Sequence, residues 1–208
     1  MKVILKILLV AAIVVMGVVC LRSIMGPIEF NNERDAREKA IIERLINIRK
    51  AQVEFKNRHK AHAGSFAELT KFLKEEKLPF LIKEGVLTDE QLEDGMTEKE
   101  AVKKGLIKRD TFWVVAKDTL FGPQVNVDDF EKVPGLALNF KMDTTTLVSG
   151  SGYTVKVFEC CVSYDDYLGD LNKQLVYNMK EKAEKQGKYA GLRVGSLTEI
   201  NNNAGNWE

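Results

Sequence analysis

Val3 to Met25, VILKILLVAAIVVMGVVCLRSIM, is the stretch on which the fold turns. Ile7–Leu21 is fifteen residues without a charge. Extension back through Lys6 to Val3 makes nineteen, and Ser23–Met25 add length if Arg22 snorkels towards water. A bilayer-spanning helix takes ~20 mainly apolar residues, and a signal-peptide core ~7–15. No A-x-A cleavage site follows, and Val19 precedes Cys20 where a lipobox wants a small residue. Residues 1–27 are therefore read as an uncleaved transmembrane signal anchor, with lipid as partner through residues 3–25. Gly26-Pro27 is expected to break or bend the helix just beyond the membrane. The short basic start, Lys2 and Lys6, favours an internal N-terminus. That puts the chain in the inner (cytoplasmic) membrane with its domain in the periplasm.

Beyond the anchor the composition is that of an ordinary globular domain, 45% hydrophobic and 29% charged overall. Residues 1–27 carry Lys2, Lys6 and Arg22 and no acid, which leaves 28 bases and 30 acids, net −2, in the rest. A near-neutral domain has no general electrostatic reason to hold nucleic acid. Asn31 and Asn32 suit a helix N-cap, and Ile41, Leu45, Ile48, Gln52 and Phe55 recur at helical spacing. The expectation is an amphipathic helix from about 33 to 58, packed on its own domain. Ser65-Phe66-Ala67-Glu68 is a capping box opening a helix over 66–75, with Pro79 closing it. Thr88-x-x-Gln91 and Thr97-x-x-Glu100 predict short helices near 89–94 and 98–104 within a charged insertion, 83–110.

The period then changes to that of strands. Runs at 111–116, 133–142, 144–148 and 153–162 predict four antiparallel strands, with a turn at Ser149–Gly152. Asp170 is expected to cap a helix reaching about Lys185, and Leu192–Leu197 to form a last strand. The tail 201–208 has no periodicity, and Trp207 is its one candidate for docking. The expected architecture is α+β: residues 28–200 form an extracytoplasmic domain in which a long amphipathic helix lies on an antiparallel sheet, with short extra helices.

Chemical signatures are sparse. No phosphate-binding loop, HExxH, GxSxG or EF-hand loop is present. His59 and His62 stand three apart, which is short of the four ligands of structural zinc, and both are read as solvated helix-end residues. Cys160 and Cys161 point to opposite faces of a strand, one buried and one partly exposed. Asp165-Asp166 reads as a turn. No catalytic, cofactor or metal-binding residue is assigned, and the chain is read as not an enzyme.

Ile48-Arg49-Lys50-Ala51-Gln52-Val53-Glu54-Phe55, followed by Gly64-Ser65-Phe66 and Leu69, resembles the helix-then-loop motif of pilins and pseudopilins. That resemblance covers about 25 residues and implies a long N-terminal helix on an antiparallel sheet. The prepilin peptidase site of those families is missing. The whole chain is also similar to a family of membrane-anchored envelope proteins from Bacteroidota. The similar segments are Arg49-x-Ala51-Gln52-x-x-Phe55, Arg109-Asp110-Thr111, Asp118-x-Leu120-Phe121, Val157-Phe158-Glu159 and Gly191–Leu197 with Asn203–Trp207. This second resemblance implies location and fold and brings no activity. The expected function is a membrane-tethered, non-enzymatic envelope protein that works through contact with a protein partner, as scaffold or accessory in envelope assembly or secretion. The alternatives are a pilin-like subunit and a thiol-dependent enzyme using Cys160 or Cys161.

Overall fold

The computed structural model describes residues 2–84, 95, 97–106 and 108–208. One helix, α1, runs from Lys2 to His59. At ~1.5 Å per residue its 58 residues span about 87 Å. The break expected at Gly26-Pro27 is not there: Pro27 lies inside α1. A proline removes one hydrogen bond and costs ~3 kcal/mol, less than ending one helix and nucleating another where both flanks are strong helix formers. The anchor and the amphipathic helix are thus two halves of one element.

α2 covers Phe66–Glu75 as the sequence predicts, with Ser65 accepting from the Glu68 N–H. Glu68 returns its carboxylate to the Gly64 N–H (2.9 Å), one residue further out than a capping box requires. Pro79 does not close this helix. It lies in β1, Lys77–Glu84, a strand the sequence reading missed. β1 pairs antiparallel with β2, Lys108–Val115, in a two-stranded ribbon where both strands are edges and a proline is tolerated. Between them, α3 covers Glu98–Lys103 behind a complete Thr97/Glu100 capping box. The helix expected at 89–94 lies outside the described residues. α4, Ala116–Phe121, follows β2 directly.

The main sheet has the order β3-β4-β5: Lys141–Val148, Thr154–Ser163 and Gly191–Gly195, all antiparallel. The turn at Ser149–Gly152 forms as expected, closed by Ser149 N–H to Tyr153 O and Gly152 N–H to Ser149 O, both 2.8 Å. The strand expected over 133–142 does not. Pro134-Gly135, with Gly135 at φ +76°, folds that segment into a loop closed by Val133 N–H to Leu138 O and Phe140 N–H to Glu131 O. Its alternating Leu136, Leu138 and Phe140 reach the core from this loop. β5 ends at Gly195, two residues earlier than the sequence suggests, where φ is +74°. α5, Tyr164–Leu168, follows β4, and α6 covers Lys173–Lys185. The cap of α6 is Asn172, not Asp170, because Asp170 is engaged by Arg37.

The core lies between the second half of α1 and one sheet face. Ile41, Leu45, Ile48, Gln52 and Phe55 from α1 meet Phe158, Cys160 and Val162 of β4, with α2 and Tyr167–Leu168 closing the ends. The opposite sheet face buries Val157 and Cys161. There Glu159 and Arg193 pair at 3.3 Å, and Arg193 lies 5.8 Å from the Tyr189 ring.

Candidate functional site

From Val3 to Ile28, seventeen large apolar side chains are exposed, none less than 44%. The most apolar window of α1 has a mean hydropathy of 3.0 and no buried share. Among the described residues the first buried one is Phe30, 6% exposed. Burying one such side chain is worth ~1.5–3 kcal/mol, so seventeen represent roughly 25–50 kcal/mol left unrealised in water. That exceeds the ~5–15 kcal/mol stability of a whole domain. This half of α1 is long and apolar enough to cross a bilayer, and it needs an apolar environment or partner.

Polar clamps fix the other half of α1 to the domain. Arg37 donates to Asp170 at 2.6 and 2.8 Å, to the Tyr167 carbonyl at 2.8 Å and to Glu33 at 2.9 Å. The hydrogen bond from Arg37 holds the Asp170 carboxyl below its usual range. Tyr167, fully buried, donates its hydroxyl to Glu38 (2.7 Å), and burial raises its proton affinity. Arg44 reaches the Asp129 carbonyl and lies 5.6 Å from the Phe130 ring. Arg49 holds Glu208 of the tail at 2.6 Å. Buried Gln52 grips both backbone groups of one residue: its amide donates to Ala63 O (3.0 Å) and accepts from Ala63 N–H (2.9 Å).

The residues weighed for chemistry do not assemble into one centre. His59 ends α1, stacks on Phe55 and pairs with Glu76 at 2.7 Å. His62 is not a solvated helix-end residue as expected. It lies beyond α1, 7% exposed, 4.8 Å from the Phe158 ring. Neither of its ring nitrogens has a hydrogen-bond partner. The backbone of Gln52 and Lys156 lies close enough to favour the charged ring weakly, but not in hydrogen-bonding geometry.

Both thiols of the Cys160–Cys161 pair are buried, correcting the expectation that one is partly exposed. Tyr189 and the Glu159–Arg193 pair cover the face that the sequence alone left open. Burial pushes both thiols up, and the Tyr189 hydroxyl opposes this only partly at Cys161. A protonated, enclosed thiol is a poor nucleophile. Asp165 and Asp166 form the first turn of α5, where Asp166 completes a capping box with Ser163. Among the described residues no group of three or more His, Cys, Asp and Glu could hold a metal ion.

A surface pocket of about 270 Å³ lies between α1 and α6, lined by Arg34, Tyr164, Lys182, Lys188, Tyr189 and Asn206 among others. Arg34 is already paired with Asp35 (2.6 Å) and Glu38 (4.0 Å), and the C-terminal turn of α6 borders the pocket. Of its three cations, Arg34 is thus held by carboxylates on its own helix. Comparison with known protein families, curated proteins and solved structures found no match to this chain.

Proposed function

We propose that the chain is a membrane-tethered, non-enzymatic domain that acts by protein contact in envelope assembly or secretion, anchored through residues 3–25 with the domain on the periplasmic side. The observation that carries this reading is the exposed apolar half of α1 beside a domain whose own core is already filled. Lipid supplies the missing burial without any rearrangement of that core. The protonated, enclosed thiols argue for contact over catalysis.

Membrane fractionation of the full chain tests the anchor. The protein is expected to resist carbonate extraction, to retain an intact N-terminus by mass spectrometry, and to lose its domain to protease added from the periplasmic side. Crosslinking in intact membranes should then recover a stable protein partner. A carbonate-soluble chain, or one clipped near residue 27, would sink the reading.

A second reading, a pilin-like subunit that polymerises, gains from one observation. α1 continues through Pro27 and lays its second half on an antiparallel sheet. Cleavage within residues 1–7 and recovery of long homopolymers would select it over the tethered scaffold.

A further inference from the structure

The connection between α1 and α2 contains an imidazole that nothing satisfies. His62 sits there between the end of α1 and β4, buried against Phe158, with both ring nitrogens unpartnered. The groups around it are accounted for, element by element. From α1, Gln52 commits its amide to Ala63, and Lys56 brings a positive charge that acts on the ring. From β4 come Phe158 and Lys156, whose carbonyl accepts from Lys56 Nζ at 2.9 Å. From α2, Glu68 is held by the Gly64 N–H and gives the ring no hydrogen bond. From β3 come Met142, which accepts from Gln52, and Thr144 near Gly64. The charge bearing on the ring is therefore a cation, and no carboxylate bonds to it.

We propose that His62 is an acid-released latch: uncharged, it fills the gap between α1 and β4, and on taking up a proton it leaves, unfastening residues 60–65 and the α1–α2 connection. An imidazolium in that gap would be desolvated and beside Lys56, with only the weak pull of the Gln52 and Lys156 backbone to offset this. In water it would have none of these penalties. Consistent with this, burial and then Lys56 pull the His62 pKa from 6.5 down to about 4. Because the folded value is the lower one, the latch is fully closed above about pH 6.5. It weakens as the pH falls from there towards 4, where the loss levels off.

The test uses the full chain in neutral detergent micelles. Amide hydrogen exchange of residues 60–66, corrected for the intrinsic effect of pH, is compared at pH 7.0 and 4.5. Local opening is expected to rise on the order of 10²-fold in the wild type, from the displacement of the pKa. His62→Phe, which can still stack on Phe158, and His62→Gln, which cannot titrate, should lose the response. His59→Gln should keep it. An equal response in wild type and both His62 variants, or none in the wild type, would overturn the proposal. If the variants fail to fold, imidazole NMR of the wild type decides. A midpoint below pH 5 that tracks the opening supports the latch, and a midpoint at 6 or above refutes it. None of these readouts depends on which protein the domain contacts.

Discussion

Gln52 is the most informative single residue. It interrupts an otherwise apolar stripe on α1, and a buried amide is tolerated only when its hydrogen bonds are made. Here both its oxygen and its nitrogen close on the Ala63 backbone, tying the end of α1 to the loop that leads into α2. Gln52→Leu preserves volume but strands a buried N–H and C=O. It is expected to destabilise the domain by about 2–4 kcal/mol, read as a lower urea midpoint at unchanged slope. Tyr167→Phe removes only the bond to Glu38 and should cost about 1–2 kcal/mol in the same assay. Gln52 is legible in sequence as a polar residue in need of a partner, but the partner is not. A histidine shortly after a helix is solvated by default, and only the approach of β4 buries His62.

Among the elements, the tail and β5 behave as one. Gly195 N–H bonds to Ala204 O, Asn206 N–H to Arg193 O, and the Asn206 side chain bonds to Arg193 N–H and Gly191 O. This covers the outer edge of β5 over its length, and an uncovered edge invites pairing with other chains. Trp207 packs on the core and leaves no room for a side chain at Gly205, where a Cβ would lie 2.4 Å from the indole. Asn202 and Asn203 supply the left-handed backbone that turns the chain back (φ +53° and +59°). Deleting 201–208 should lower stability by a few kcal/mol and raise concentration-dependent association, seen by light scattering. Gly195→Ala should be worse than a surface change, because its Cβ would meet Phe158 O at 2.1 Å and its φ is +74°. A Tm lower by several degrees is expected. Nothing in the Asn-rich run itself announces a docked edge, since the bonds that dock it reach back 9 to 15 positions to Gly191, Arg193 and Gly195. The helices were easier to read. α2 has its Ser65 cap and its apolar stripe within the stretch 65–75, and so is set locally.

At the scale of the whole molecule, α1 has two halves with different solvents. The first half is exposed throughout and the second is the spine of the core. Because no part of the apolar window is buried, deleting residues 2–28 should leave the domain's unfolding midpoint within experimental error while making it soluble without detergent. A large loss of stability would mean that this half packs on the domain after all. Pro27→Ala restores one hydrogen bond between the halves, and slower amide exchange over residues 23–31 is the expected result.

Composition and periodicity alone determined that the chain carries an apolar segment of bilayer length, that an amphipathic stripe follows it, and that strands form within the 111–116, 144–148 and 153–162 runs. These are local properties, readable from a few turns of chain. Tertiary structure decided the rest. It buried His62 and both thiols and folded the tail onto β5. Each of those outcomes depends on groups brought together from distant parts of the chain. Burial and hydrogen bonding across such distances have no signature in neighbouring residues.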